Sequence, residues 1–229
     1  MLLPLMQLLK RRPPMLTTSR LSRFFLAAIA WLLVLTAGWM TVSRWTSQPV
    51  GFLAQVALEQ AAPYWVRTVR LTPGLIEADT RIEVRVPGAA SGARGELMVD
   101  AKTAHYAYGL PILLALLLAA RSRGLWRRAV VGYLLLLPFQ AFSLVFDLLK
   151  QMAMAAAGGA AALGIDQWQL ESIGFGYQFG TLVLPTLAPI MLWLWMDRDF
   201  FRQVVAEQWL QPQPGGNLPG KASEGSASE

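Results

Sequence analysis

The sequence contains no cysteine and a single histidine, and only 15% of its 229 residues are charged. The absence of cysteine excludes disulfides, a lipidated cysteine anchor, thiol catalysis and thiolate metal sites. One histidine cannot form a histidine-rich metal site. An average soluble domain carries about 25% charged residues. The low charge, with 55% hydrophobic residues, therefore favours a membrane protein over a soluble one.

Sequence motifs for catalysis and cofactor binding are also lacking. We find no P-loop, no GxSxG, no HExxH and no paired-carboxylate constellation, so we predict no catalytic residues, no cofactor and no metal site. The formal net charge is +6. The basic residues flank apolar runs rather than forming one basic face, which is how orientation signals of membrane proteins are distributed. We therefore expect no nucleic-acid binding.

Four apolar runs approach the length of about 20 residues that a bilayer core requires. We predict transmembrane helices at 24–42, 104–120, 129–149 and 174–196. The first follows a basic segment, 1–23, and we interpret it as an uncleaved anchor, because its apolar run is longer than a signal-peptide core and no A-x-A-like site follows.

The distribution of lysine and arginine predicts the orientation of the chain. Basic residues precede the first span and follow the fourth, and the loop 121–128 carries Arg121, Arg123, Arg127 and Arg128. The positive-inside rule then places both termini and this arginine loop in the cytoplasm of a multi-pass protein of the bacterial inner membrane. The loop 150–173 is periplasmic by the same rule. The tail, 197–229, is cytoplasmic, and its composition after Gln208 predicts disorder.

Residues 43–103 are expected to form a periplasmic ectodomain. A weakly amphipathic pattern predicts a helix at 49–62, with its apolar face on the membrane surface. Period-two alternation predicts strands at 65–72, 75–87 and 96–102, joined as an antiparallel meander. Such a sheet needs cover for its apolar face, from the helix, the bilayer surface or a partner. The fold class is thus an α-helical integral membrane protein with four spans and a small three-stranded α+β ectodomain between the first two.

The third span carries polar residues at helical spacing, which makes it the candidate functional face: Gln140, Ser143, Asp147, Lys150 and Gln151. Ionisable groups in a span are costly and usually face the bundle interior. One interpretation is a proton-relay or ligand-contact face. The alternative is an Asp147–Lys150 ion pair near the outer interface that neutralises itself and helps the bundle to pack.

The fourth span begins with a G-x-x-x-G sequence, Gly176 and Gly180, which permits close helix packing. Pro185 and Pro189 follow in the same span and free backbone carbonyls one turn apart. Broken helices of this kind form ion sites in some transporters. We interpret the two prolines as kinks, since the chain does not divide into two matching halves.

Two stretches carry a resemblance to a known family: YGLPILLAL, Tyr108–Leu116, and LLPFQAFSLVFDLLKQ, Leu136–Gln151. With the order of parts over about residues 20–205, they resemble the small membrane proteins associated with exosortase H. The resemblance implies a Gram-negative inner membrane and a role near the sorting of surface proteins by an exosortase, a transpeptidase. It does not imply the enzyme itself, because exosortases look like proteins with more spans that use cysteine, arginine and histidine.

Two functions therefore stand as hypotheses. The first is a non-enzymatic accessory protein that binds an exosortase-like membrane protein through the transmembrane faces of its third and fourth helices and through its β ectodomain, where an open sheet edge could accept an extended peptide. The alternative is a small membrane enzyme or transporter that uses the polar face of the third span. Membrane lipid is an expected partner in both, and homo-oligomerisation stays open.

Overall fold

The structure is a computed structural model that describes residues 20–85, 94–156, 166–198 and 202. Its first helix, α1, runs from Arg20 to Thr46 and includes the predicted span 24–42. Ser47 separates it from α2, Gln48–Ala61, which starts with a proline in its first turn and ends just before Pro63. Residues 1–19 and 203–229, which contain most of the basic N-terminal segment and the predicted disordered tail, lie outside the described residues.

A three-stranded antiparallel sheet follows α2 in the order β1-β2-β3, as the alternation of the sequence predicts. Its strands are β1, Val66–Thr72; β2, Leu75–Arg85; and β3, Arg94–Lys102. The two-residue turn between β1 and β2 has Gly74 at φ +87°, a left-handed conformation that glycine adopts without strain. The predicted end of β2, residues 86–87, lies outside the described residues.

The segment after the sheet differs from the prediction of a continuous span at 104–120. A 3-10 turn, Thr103–Tyr106, is followed by a short helix, α3, Gly109–Ala119. A helix of 11 residues is only about 16 Å long, and a bilayer core is about 30 Å thick. The described residues thus contain three helices long and apolar enough to span a membrane, together with this shorter apolar helix. The predicted count of four spans is not confirmed.

The remaining long helices correspond to the third and fourth predicted spans. Helix α4, Leu125–Ala155, extends beyond the predicted 129–149 at both ends and contains Pro138. Helix α5, Gln167–Gln178, continues through a π-helical turn, Phe179–Val183, into α6, Leu184–Met196. The π-helical turn directly precedes the segment in which Pro185 and Pro189 lack backbone donors. The kink expected at these prolines stays a prediction.

One hydrophobic core joins the sheet to the helices. The inward face of β2, Ile76, Ala78, Thr80 and Ile82, is buried, as its alternation predicts. Helix α2 covers this face and also packs against α4. The prediction that the apolar face of α2 lies on the membrane surface is therefore wrong for its buried residues, which are Val50, Gly51, Ala54 and Leu58. These residues pack against the apolar face of the sheet instead, and the sequence of α2 alone does not identify this partner.

A second cluster closes the opposite end of the molecule. Phe24, near the start of α1, stacks on Trp193, near the end of α6, with ring centroids 5.3 Å apart. Leu113 and Leu117 of α3 pack into the same cluster. Close approach of α3 to α4 depends on Gly132, since a Cβ atom there would lie 2.5 Å from Leu113 Cδ2. These contacts pack the helices against one another at the end of the molecule away from the sheet.

Candidate functional site

Ser143, in the middle of the predicted polar face, lies in the contact between α4 and the fourth predicted span. Ser143 of α4 is fully buried, and its hydroxyl lies 3.0 Å from the carbonyl oxygen of Phe139 and 2.5 Å from that of Gly180. Gly180 belongs to the π turn, whose carbonyls lose part of their regular helical bonding. The Ser143 hydroxyl therefore satisfies a backbone acceptor at the irregular point of the fourth span.

Asp147 and Gln151 connect α4 with the sheet. The Gln151 Nε2 group donates to Asp147 Oδ2 at 2.9 Å and to the carbonyl oxygen of Asp100, in β3, at 3.1 Å. The Tyr106 hydroxyl also lies beside the Asp147 carboxylate. Lys150 points elsewhere, with its Nζ 3.6 Å from the centroid of the Tyr177 ring in α5. These contacts assemble a polar cluster where α4, α5 and β3 meet.

Within the described residues, Asp147 and Lys150 do not form the ion pair considered from the sequence, although both are fully described. Side chains three residues apart on a helix are neighbours, but each can turn toward a different partner. The Tyr177 ring attracts the ammonium group by a cation–π interaction, and Gln151 satisfies the carboxylate. Sequence spacing alone could not rank these partners.

A double-mutant cycle at Asp147 tests this arrangement. We expect Asp147→Asn and Lys150→Met to have additive effects on the free energy of unfolding, within about 0.5 kcal/mol. A second cycle with Asp147→Leu and Gln151→Met should give a coupling of about 0.5–1.5 kcal/mol, because both changes remove the hydrogen bond between these two side chains. Unfolding by sodium dodecyl sulfate measures both cycles. A larger coupling for Lys150 than for Gln151 would contradict the arrangement.

Gln140 is the deepest member of the polar face. Its side chain is 3% exposed, and neither its Oε1 nor its Nε2 has a hydrogen-bond partner among the described residues. It adjoins a narrow crevice, bordered by Gly109 and Pro185, that is too small to admit a water molecule. A Cβ atom at position 109 would lie 3.3 Å from Gln140 Nε2 and 3.5 Å from the Pro185 carbonyl oxygen. The glycine therefore lets α3, α4 and α6 approach one another closely at this polar point.

The G-x-x-x-G residues lie against α4. A Cβ atom at Gly176 would overlap the Phe146 ring, and one at Gly180 would lie 3.0 Å from Ser143 Cα. The motif is thus used within the chain, between the third and fourth predicted spans. It is therefore not free to pack against a partner helix, and it does not support partner binding through these two spans.

Both outer edges of the sheet are touched by glutamine side chains from helices. Gln55 of α2 donates to the carbonyl oxygen of Val69 in β1 at 3.2 Å, and Gln151 donates to Asp100 in β3. Edge strands that present free backbone groups invite pairing with another chain. The two glutamines restrict strand addition at these points, so the open edge expected from the sequence is partly blocked.

The outward face of the sheet is internally charge-balanced. Arg67 and Glu96 form a bidentate pair at 2.7 and 2.5 Å, and the hydrogen bond to Glu96 raises the pKa of Arg67. Arg70 lies 3.4 Å from Asp79, and Arg94 lies 3.5 Å from Glu83. Exposed pairs of this kind contribute little to stability, but each of them places opposite charges side by side on this face.

Asp197, a residue that the sequence analysis missed, connects the end of the fourth span with the arginine loop. Asp197 is 8% exposed. Its carboxylate accepts a hydrogen bond from Ser122 and lies 3.1 Å from Arg128 Nη1. Arg121, Arg123 and Arg127 are exposed. An aspartate directly after an apolar span was the available signal, since a buried carboxylate requires a partner.

Two arginines of one loop provide a matched pair of substitutions. We expect Arg128→Gln to lower the free energy of unfolding by more than about 1 kcal/mol, the upper limit for exposed ion pairs, because it leaves a buried Asp197 without its cation. Arg127→Gln removes the same charge from an exposed position and should cost much less. Thermal unfolding of both proteins in the same detergent gives the comparison. Equal losses would show that net charge, and not the Asp197 contact, matters in this loop.

An aromatic groove lies near the sheet end of α4. It has a volume of about 540 Å³ and is bordered by the end of α2 and by α4 and α5. Its aromatic lining residues are Tyr64, Trp65, Phe146 and Trp168. The sequence analysis did not identify this groove, because its walls come from three segments that are far apart in the chain.

These features define a class of protein, namely a small helical membrane protein whose polar groups mostly serve packing between helices and sheet. Among the described residues, no group of three or more histidine, aspartate or glutamate side chains is placed to hold a metal ion. Residues 18–200 match the family described as exosortase H-associated membrane protein, and the chain belongs to this family. The family's name indicates association with exosortase. No curated protein and no solved structure matches the chain significantly.

Proposed function

We propose that the chain is a non-enzymatic accessory protein of an inner-membrane protein-sorting system, and that it binds an exosortase-type transpeptidase. The family match over residues 18–200 is the observation that carries this proposal. The local chemistry is consistent with it, because Ser143, Asp147 and Gln151 are engaged in contacts within the chain. A catalytic serine or carboxylate would instead face a space that a substrate can enter.

Helix α1 is the span that we propose for partner contact. No residue in its most apolar window is buried. Large apolar side chains such as Leu33, Val34 and Met40 are exposed along it. In contrast, the small residues of the fourth predicted span pack against α4. The outward face of the sheet would complete the contact in the periplasm. This differs from the sequence hypothesis, which placed the partner on the third and fourth spans.

We also propose four membrane crossings, with both termini in the cytoplasm. Two contacts support the second crossing. The Ser47 and Thr103 hydroxyls are 2.8 Å apart at the end of α1, and Leu117 clusters with Phe24 near its start. Phe24 and Thr46 are separated by roughly 33 Å along a helix axis, about the thickness of a bilayer core. The 3-10 turn and α3 together therefore cover the distance that α3 alone does not.

Single cysteines test this topology cleanly, because the chain has none of its own. We expect Thr72→Cys, at the end of β1, to react with a membrane-impermeant maleimide added to intact spheroplasts. Arg123→Cys, in the arginine loop, should react only after the membrane is permeabilised. Reaction of both from the outside would mean that residues 103–120 do not cross the membrane.

The accessory role is tested by a sorting reaction with three arms: the purified chain alone, the exosortase alone, and both in one liposome. We expect no turnover of the sorting substrate by the chain alone and faster turnover by the pair than by the exosortase alone. Turnover by the chain alone, lost in Asp147→Asn or Ser143→Ala, would overturn the proposal in favour of a membrane enzyme.

A further inference from the structure

The aromatic groove has the shape and lining of a site for an apolar ligand. Its volume of about 540 Å³ falls within the range of about 300–1,000 Å³ found for small-molecule sites. Its lining residues are Ala61, Ala62, Tyr64, Trp65, Phe146, Leu149, Trp168, Gln169, Ser172 and Ile173. None of these described side chains carries a charge, so the groove does not select an ionic group.

The groove lies where two candidate spans reach one end of the molecule. Trp168 is one residue inside the start of α5, and Leu149 is near the end of α4. Tyr64 and Trp168 are 86% and 63% exposed. Tryptophan and tyrosine concentrate at the boundary between membrane and water. The rim of the groove therefore matches the composition of that boundary.

A column of phenylalanines leads from the groove along α4 toward the middle of the span. Phe146 lines the groove, and its ring contacts that of Phe142, with centroids 4.4 Å apart. Phe139 stands a further turn along, and it is 40% exposed. The spacing of three and four residues places the three rings on one helix face. This face is continuous with the groove and leads away from water.

We propose that the groove binds one membrane phospholipid, with an acyl chain lying along Phe146, Phe142 and Phe139. The direction of the column favours this occupant over a water-soluble peptide, which would have to follow it into the hydrocarbon region. A lipid also needs only weak polar contacts at the rim. The absence of charge among the lining side chains predicts little preference for the charge of the headgroup.

The polar groups of the rim fit the ester region of such a lipid. Gln169 uses its Oε1 to accept the backbone N–H of Asp166 at 3.1 Å, and its Nε2 forms no hydrogen bond with the described residues. The Ser172 hydroxyl donates to the carbonyl oxygen of Trp168 at 2.8 Å, so its oxygen can accept but its proton is engaged. An ester carbonyl is an acceptor, and the Gln169 amide is the donor that faces it.

Photocrosslinking of the full-length protein tests the site. The chain is reconstituted into nanodiscs of phosphatidylethanolamine and phosphatidylglycerol that contain a small fraction of phosphatidylethanolamine with a diazirine on its acyl chain. After irradiation, peptide mapping should concentrate the label on Phe146 and Phe142. Ser172→Trp, which places an indole in the groove, should reduce this labelling about tenfold. This corresponds to a loss of about 1.4 kcal/mol in the binding free energy of the lipid.

Thr186→Trp is the matched control, because Thr186 is also an exposed hydroxyl residue that bonds to a carbonyl of its own helix. It should leave labelling at Phe146 unchanged. In the unmodified protein, labelling at Phe146 that is no stronger than labelling at an exposed residue such as Leu182 would overturn the proposal. This comparison does not depend on whether either variant folds. Labelling that persists in a folded Ser172→Trp protein would also overturn it.

The lipid site and the exosortase association are separable. The nanodisc experiment contains no exosortase, so its outcome does not depend on the accessory role. If lipid labelling is absent and addition of the exosortase protects Tyr64 and Trp168 from chemical modification, the groove belongs to the protein partner. The lipid proposal is then wrong, while the accessory role stands.

Discussion

Replacing Gly176 with valine is expected to destabilise the protein by about 1–3 kcal/mol, the usual cost of forcing extra atoms into a packed interface. The added Cβ would overlap the Phe146 ring, which would have to leave its position between α4 and α5. The displaced ring also borders the aromatic groove. The substitution should therefore lower both the melting temperature in detergent and the lipid labelling of α4.

Gly174→Val is the control for this substitution. Gly174 lies two residues earlier in the same helix, and a Cβ atom there would have no neighbour within 4 Å among the described residues. Both changes have the same effect on intrinsic helix propensity, so their difference reports packing alone. If Gly176→Val were as stable as Gly174→Val but failed to bind the exosortase, the glycine motif would be an intermolecular contact, contrary to the structure.

Replacing Leu58 with alanine is expected to cost about 2–5 kcal/mol, as for other fully buried leucines. Leu58 is completely buried between the sheet and α4. Leu53→Ala provides the comparison on the same helix, because Leu53 is 37% exposed. Its substitution should cost much less in detergent-solubilised protein. Unfolding by sodium dodecyl sulfate measures both.

The two leucines distinguish two descriptions of α2. If α2 forms the core that covers the sheet, Leu58→Ala unfolds the protein more readily in any detergent. If α2 instead served mainly to bind the membrane surface, Leu53→Ala would have the larger effect, and it would weaken binding to vesicles without changing the stability in micelles. The structure predicts the first result.

The strands and long helices could be predicted because each depends on a local pattern. The alternation from Ile76 to Val84 defines an inward and an outward face of β2 without reference to any other segment. The long apolar runs around Leu33 and Leu144 have the length that a membrane requires. The ends of these elements depend on tertiary contacts: α4 extends to Ala155, beyond the predicted end of its span, because its last turns pack on the sheet instead of lipid.

The contacts of the polar face could not be predicted, because they depend on the choice among partners in three dimensions. The helical spacing of Asp147, Lys150 and Gln151 correctly groups them, but the selection of Tyr177 for Lys150 and Asp100 for Gln151 requires the positions of α5 and β3. The same is true of α2, whose weak amphipathic pattern fits a membrane surface and a protein core equally well.

The most direct test of the accessory role is to crosslink the intact protein in its native membrane and to isolate it by a tag on its C-terminal tail. A single Leu33→Cys substitution on α1 carries the crosslinker, and Leu187→Cys on α6 serves as the comparison. We expect exosortase to be recovered in stoichiometric amount with the Leu33→Cys protein and in a much smaller amount with the Leu187→Cys protein. Recovery of only copies of the chain itself, or of no partner from either position, would contradict it.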